Sequence, residues 1–146
     1  MSTPASSRFV ESAKRYFEDL DGGRFPGELF TPDFEFYFPK YGVGRGRDDL
    51  VEFASGLGAT GHKATHHRDQ LKYTSCGYQV IVEGTTFGSD GAGGTWNGGQ
   101  TPGGRFCSVF DFNDDGLIKR MYIYLDPDYA GRDAGRFHWH RRQPRW

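Results

Sequence analysis

Two histidines stand side by side in the middle of the chain, and histidine is the side chain best suited to proton transfer near neutral pH. His66 and His67 fall within residues 62–74, which are predicted to form a rather polar strand. Neighbouring side chains on a strand point to opposite faces, so one imidazole of the pair should face the interior. An imidazole that titrates near neutrality is suited to general acid–base catalysis. Each histidine is therefore a candidate, with a surface position as the alternative.

Three further polar side chains lie where loops are predicted. Lys40 and Tyr41 belong to the loop of residues 39–46. A partly desolvated lysine could act as a base or form a Schiff base, although a solvated lysine is the simpler interpretation. Asp126 stands directly before Pro127, where a turn-forming role is favoured over catalysis.

The spacings of the other histidines, the cysteines and the glycines predict neither a metal site nor a cofactor site. His62 and His66 are four residues apart and His138 and His140 are two apart, but neither pair has a third ligand in a zinc motif. The cysteines at positions 76 and 107 show no metal spacing either. Glycines at 91, 93 and 94 do not match the dinucleotide-binding fingerprint, and no helix is predicted after them.

The elements that must position these groups are organised around residues 103–129. Residues 105–112 alternate as a strand, with Phe106, Ser108 and Phe110 on one face. Asn-Asp-Asp-Gly at 113–116 predicts a turn, and residues 117–125 form the returning strand, on which Leu117 and Ile118 are assigned to opposite faces. Both faces of this hairpin are substantially apolar, so both should be covered.

Helical spacing comes first in the chain and strand patterns follow. Thr3-Pro4 is typical of a helix start, and a wide apolar stripe extends to Leu20 before Gly22-Gly23 ends the helix. Further helices are predicted over 26–30 and 47–57, with a short aromatic strand over 34–38 between them. Residues 78–87 are the next strand after 62–74. This order indicates an α+β fold in which helices pack on a strongly curved antiparallel sheet and enclose a pocket.

Two segments are unusual in composition. Residues 88–104 contain many glycines together with Trp96, and are predicted to be a floppy connection, with a mobile lid as the alternative. Residues 132–146 combine five arginines with two histidines and two tryptophans. Because aromatic side chains usually find a surface to pack on, this tail is expected to cover the pocket mouth or a subunit boundary. Residues 1–131 would form one domain.

The amino-acid composition of the whole chain argues against several classes of protein. The 146 residues carry 18 Lys and Arg against 19 Asp and Glu, and a net charge of −1 argues against a nucleic-acid binder. No run of residues reaches the length of a membrane span, and the amino-terminal residues lack the apolar core of a signal peptide. We therefore expect a cytoplasmic protein that binds neither nucleic acid nor membrane.

Four segments resemble the nuclear transport factor 2-like cone fold, in its SnoaL-like and ketosteroid-isomerase-like branch. They are RYFEDLDGGRF, LFTPDFEFYFP, GRGRDDLVEF and GRFCSVFDFNDDGLIKRMYIYLD, and the resemblance extends over residues 9–126. It implies the fold more specifically than the reaction, because this fold carries many chemistries and also non-catalytic binders.

The resemblance also assigns roles to individual positions. Tyr16 occupies the place of the tyrosine that donates to an oxyanion in ketosteroid isomerases, and His66 matches the pocket histidine of the scytalone-dehydratase-like members. Phe38 and Ser108 stand where the isomerases have their catalytic aspartates. The epoxide-hydrolase-like carboxylates are missing too.

These observations predict a cofactor-independent lyase or isomerase that acts by general acid–base catalysis on a hydrophobic aromatic or polycyclic small molecule. Dehydration, isomerisation and retro-aldol cleavage with formaldehyde release all fit. The alternative is a non-catalytic binding or interaction module. Predicted catalytic residues are Tyr16, His66 and Lys40, and predicted substrate-binding residues are Phe38, Tyr41, Trp96, Phe106, Ser108, Phe110 and Ile123. A homodimer through the outer face of the sheet is expected, because Ile118, Tyr122, Tyr124, Cys107 and Val109 would otherwise form an exposed apolar patch.

Overall fold

Two helices pack on a curved, mixed sheet in residues 4–134, the part of the chain that the computed structural model describes. The helices are α1 (Pro4–Asp21) and α2 (Gly46–Ala59). The eight strands are β1 (Phe30–Phe38), β2 (Gly42–Arg45), β3 (Lys63–His66), β4 (Lys72–Cys76), β5 (Gln79–Ser89), β6 (Thr95–Asn97), β7 (Arg105–Phe112) and β8 (Ile118–Leu125). This α+β cone confirms the predicted fold class.

Strand β5 joins the parts of the sheet, whose main order is β2-β1-β8-β7-β5-β3. Its first half pairs with β4 and β7, and its second half pairs with β3 and β6. One pairing differs from the antiparallel prediction, because β1 runs parallel to β8. The two strands are separated by most of the chain, so no local turn imposes their relative direction.

Helix α1 forms where the apolar stripe predicted it. Phe9, Ala13, Tyr16 and Phe17 recur at helical spacing and are all buried against the sheet. The helix ends at Asp21, and Gly23 then takes a φ of 86°, which a glycine adopts without strain. The ending leaves the Asp21 side chain at the carboxyl end of α1.

Several element boundaries differ from the prediction. Residues 27–29 form only a short 3-10 turn, and β1 already begins at Phe30, so the expected helix over 26–30 is wrong. Pro32 lies within the irregular part of the β1–β8 pairing, where the missing N–H costs no regular ladder bond. The predicted strand over 62–74 is divided into β3 and β4 by a 3-10 turn, and the loop over 39–46 contains β2.

The β7–β8 hairpin confirms most of the predicted alternation. Phe106, Ser108, Phe110 and Phe112 all lie on the buried face of β7. Ile118 is also completely buried, so its assignment to the outer face is wrong. The pairing shifts between Asp111 and Phe112, and this bulge changes the phase of the alternation at the start of β8.

The glycine-rich segment of residues 88–104 is a packed part of the fold. The prediction of a flexible connection is therefore wrong. It contains β6 and two 3-10 turns. A Cβ atom at Gly104 would lie 1.7 Å from the Gly98 carbonyl oxygen, and one at Gly88 would lie 1.9 Å from the Lys63 carbonyl oxygen. Glycine is required here because backbones approach each other closely.

Of the predicted carboxy-terminal tail, only residues 132–134 are described, so the expectation that it covers a pocket mouth lies outside the described residues. Arg132 forms an ion pair with Asp90 at 2.9 Å. Between residues 4 and 134, no helix is long and apolar enough to cross a membrane.

Candidate active site

The space between the helices and the inner face of the sheet is a cavity of about 620 Å³. This volume falls within the usual range for small-molecule sites. Aromatic side chains supply much of its wall, namely Phe17, Phe36, Phe38, Phe53, Phe106 and Tyr129. Such a lining favours a ligand with flat, apolar surfaces.

His66 lies at the end of β3 and lines this cavity as one half of a hydrogen-bonded pair with Asp21. Its Nδ1 lies 2.7 Å from Asp21 Oδ1, and its backbone N–H donates to Asp21 Oδ2 at 3.2 Å. A carboxylate only accepts hydrogen bonds, so Nδ1 carries the proton of the neutral imidazole. Nε2 is then left with a free lone pair, which is the form required of a general base.

The pair is sheltered from water, and its ring is fixed by packing. The side chains of His66 and Asp21 are only 14% and 5% exposed. The imidazole packs edge-on against Phe17 and Phe106, with ring centroids 4.7 and 5.0 Å away. These contacts hold the ring in one orientation toward the cavity.

Arg68 supplies the countercharge for the buried carboxylate. Its Nε lies 3.4 Å from Asp21 Oδ2, and its own side chain is half exposed. Asp21 is the last residue of α1, where the helix dipole disfavours a negative charge. The carboxylate therefore does not stabilise the helix. Its partners, His66 and Arg68, are 45 and 47 residues away in the sequence, and its bond to His66 explains its presence at this end better.

Tyr16 lies on the same helix and also lines the cavity. Burial raises the pKa of its phenol well above 10, and the negative charge of Asp21 raises it further. The hydroxyl is therefore protonated at any physiological pH and can only donate or accept as a neutral group. Because Tyr16 lines the cavity, its hydroxyl proton could be donated to a bound ligand.

Two smaller hydroxyl groups also belong to the polar part of the lining. Thr86 pairs with His66 across β3 and β5, and its Oγ1 accepts a hydrogen bond from Trp96 Nε1 at 3.0 Å. Ser108 lies on β7 and is 2% exposed. The cavity thus combines an apolar wall with a few polar groups that could orient a ligand.

Six of the predicted site residues line this cavity and four do not. Those in the lining are Tyr16, His66, Phe38, Phe106, Ser108 and Ile123. Lys40 is exposed, with a φ of 73°, in the turn after β1. Tyr41 is 58% exposed and covers Phe38 and Phe53 from outside.

The other two residues outside the lining are buried behind it. Trp96 packs against Tyr129 with the two rings tilted and their centroids 4.9 Å apart, and Tyr129 rather than Trp96 forms the wall. Phe110 has the same strand phase as Phe106 but packs against Tyr16, with ring centroids 5.4 Å apart. Alternation identifies the face of a strand, but it does not show which part of that face a helix covers.

His67, the other candidate of the adjacent pair, is directed elsewhere. Its Nδ1 lies 2.9 Å from Thr85 Oγ1, and its ring packs on Phe87. It does not belong to the cavity lining.

Sequence reasoning missed Asp21 and Tyr129. The one signal for Asp21 was an acidic residue in the last turn of a helix, where a basic residue is preferred. Tyr129 follows the last strand and belongs to no periodic pattern. Burial raises its pKa, and the Thr101 hydroxyl donates to its backbone carbonyl at 2.5 Å.

Comparison with known proteins agrees with this architecture. A SnoaL-like domain is matched over residues 13–121, so the chain belongs to the SnoaL-like domain family, as the sequence resemblance indicated. No curated protein matches the sequence.

Solved structures show the same fold at low sequence identity. An NTF2-like protein from Anabaena variabilis ATCC 29413 is 22% identical, with a TM-score of 0.69 over 89% of this chain and 98% of the other. A candidate polyketide cyclase from Xanthomonas campestris pv. campestris is 17% identical, with a TM-score of 0.70 over 84% and 93% of the two chains. TerC, co-crystallised with polyporic acid, is 18% identical, with a TM-score of 0.67 over 82% and 92%.

Proposed function

We propose that this protein is a cofactor-independent lyase or isomerase that moves a proton on a hydrophobic aromatic or polycyclic small molecule. The observation that carries the proposal is the Asp21–His66 pair, which presents a free imidazole nitrogen to an aromatic cavity that also contains Tyr16. A relative of the same fold, TerC, was crystallised with polyporic acid, which supports an aromatic ligand.

The chemistry follows from the protonation states of the two residues. Neutral His66 takes a proton from a carbon next to a carbonyl group, and Asp21 stabilises the imidazolium that forms. Tyr16 donates a hydrogen bond to the carbonyl oxygen as negative charge develops on it. Its raised pKa keeps the phenol protonated during this step.

The fate of the proton on His66 distinguishes the three reaction types. Its return to another carbon of the same substrate gives isomerisation. Its transfer to a departing hydroxyl group gives dehydration. In a retro-aldol cleavage His66 instead takes the proton of the β-hydroxyl group, the carbon–carbon bond breaks to release formaldehyde or another aldehyde, and the resulting enolate is reprotonated.

The test uses two variants and a panel of aromatic β-hydroxy ketones and enolisable polycyclic ketones. We expect His66→Ala and Tyr16→Phe each to reduce kcat/KM by at least about a hundredfold, the lower range for a lost acid–base group. Lys40→Ala is a matched control, because the exposed Lys40 side chain lies outside the cavity lining. Wild-type rates in both cavity variants would refute the assignment.

The second candidate function is a binding module without chemistry. It is favoured by Phe38 and Ser108, which stand where the resemblance would place catalytic aspartates. Solvent exchange of a bound ligand's acidic C–H protons separates the two functions. An enzyme of the proposed kind accelerates this exchange through His66, whereas a binding module leaves the rate unchanged.

We propose in addition that two copies of the chain pair through the outer face of the sheet. Tyr124 is 49% exposed there and packs beside Tyr37 and Tyr122. Ile118 does not contribute, because it is buried in the core. The remaining aromatic surface is of the kind that subunit interfaces cover.

A further inference from the structure

We infer that His62 is a second substrate-binding imidazole of this cavity, and that it selects aromatic ligands with a hydroxyl group remote from the reacting carbon. The inference rests on the proposed function, whose ligand class it makes more specific. His62 lies immediately before β3, four residues from His66, and both residues line the same cavity. Residues four apart along an extended chain lie on the same side, about 13 Å apart.

The protonation of His62 follows from the hydrogen bonds of Thr60. The Thr60 hydroxyl donates to the Leu57 carbonyl oxygen at 2.6 Å, which uses its single proton. His62 Nδ1 lies 2.7 Å from the same hydroxyl oxygen, so that oxygen can only accept a hydrogen bond from Nδ1. Neutral His62 therefore carries its proton on Nδ1, and its Nε2 can only accept.

The surroundings of His62 hold the ring at the cavity wall. Its ring centroid lies 5.4 Å from that of Tyr129 and 6.5 Å from that of Trp96. Tyr129 lines the cavity itself, so His62 and Tyr129 form one continuous part of the wall. Between residues 4 and 134, no group of three potential ligands is placed to hold a metal ion, so a metal site does not explain the His62 position.

A ligand that meets both imidazoles needs different groups at its two ends. At the His66 end it presents an acidic proton for removal, and at the His62 end it presents a hydrogen-bond donor to Nε2. A phenolic or enolic hydroxyl is the donor that fits an apolar, aromatic wall. The two histidines would thus fix the direction in which an elongated ligand enters.

The experiment uses phenol as the probe and fluorobenzene, which has no donor, as the comparison. The tautomers are read first, from two-bond nitrogen–proton couplings of the free full-length protein. We expect both His62 and His66 to carry the proton on Nδ1. Affinities of the two probes are then measured by NMR titration for the wild type and for His62→Phe, which keeps an aromatic ring against Tyr129.

The wild type should prefer phenol, and His62→Phe should reduce this preference by about threefold to tenfold, the usual effect of one hydrogen bond. Thr60→Val tests the role of the His62 tautomer with the His62 ring intact. Without the Thr60 hydroxyl, the ring is free to carry its proton on Nε2 instead of Nδ1. A wild type without a preference for phenol, a preference that His62→Phe leaves unchanged, or a proton on Nε2 of His62 would each overturn the inference. The proposed function is judged separately, by turnover in His66→Ala.

Discussion

Replacing Asp21 with asparagine should convert His66 to the wrong tautomer while leaving the fold in place. One carboxylate oxygen, Oδ2, faces two donors, the backbone N–H of His66 at 3.2 Å and Arg68 Nε at 3.4 Å. An amide has only one oxygen, and this oxygen should face those donors. The amide NH₂ group then faces His66 Nδ1, which must become an acceptor, so the ring proton moves to Nε2.

The size of the expected fall in activity follows from the change in the His66 ring. With the proton on Nε2, the imidazole no longer presents a lone pair to the cavity, and a general base contributes about 10²–10⁴-fold to the rate. We therefore expect turnover to fall by at least about a hundredfold. The stability should change much less, by about 1 kcal/mol, because the half-exposed Arg68 can be solvated after the charge is removed. For a chain of this size, that corresponds to a fall of about 2–4 °C in Tm.

The tautomer can be measured without a substrate, through the nitrogen–proton couplings of the His66 ring. Asp19→Asn is the matched control, since Asp19 lies on the same helix and pairs with Arg24 at 2.9 Å instead of with the site. It removes the same charge and should leave the His66 tautomer unchanged. A His66 ring that keeps its proton on Nδ1 in Asp21→Asn would refute the positioning role of Asp21.

The remaining predictions concern the loss of stability at alkaline pH, the glycine-rich segment and the dimer. Burial raises the pKa of Tyr16, so its phenol stabilises the fold fully below pH 10 and progressively less as the pH rises toward its folded pKa. Its contribution to the free energy of unfolding should fall by about 1.4 kcal/mol per pH unit above 10, and denaturant titrations of Tyr16→Phe should show a correspondingly smaller decline. Gly104→Ala should destabilise the fold by about 1–3 kcal/mol because a Cβ would meet the Gly98 carbonyl, whereas Gly56→Ala, in an open position on α2, should stabilise it by up to about 1 kcal/mol. Equal effects of the two alanines in thermal melts would contradict the packed description of this segment. Light scattering should show a dimer that Tyr124→Arg weakens, and a monomeric wild type at micromolar concentration would exclude the proposed interface.

The sequence by itself determined the elements whose signals are local. The apolar stripe of α1 and the alternation of β7 each follow from the spacing of neighbouring residues, because helices and strands bury one face with a fixed period. The presence of a pocket histidine at 66 or 67 followed from the same period. The glycines of residues 88–104 were visible too, but composition alone does not distinguish a flexible connection from backbones in close contact.

Only the tertiary structure decided which of these residues meet. Asp21 and His66 are 45 residues apart, and their hydrogen bond exists because the end of α1 is packed beside the end of β3. The burial of Ile118 depends on a bulge that no local pattern indicates, since one extra residue reverses the phase of a strand. Phe106 reaches the cavity and Phe110 does not, because the position of α1 over the sheet, rather than the strand period, determines which part of the inner face stays open.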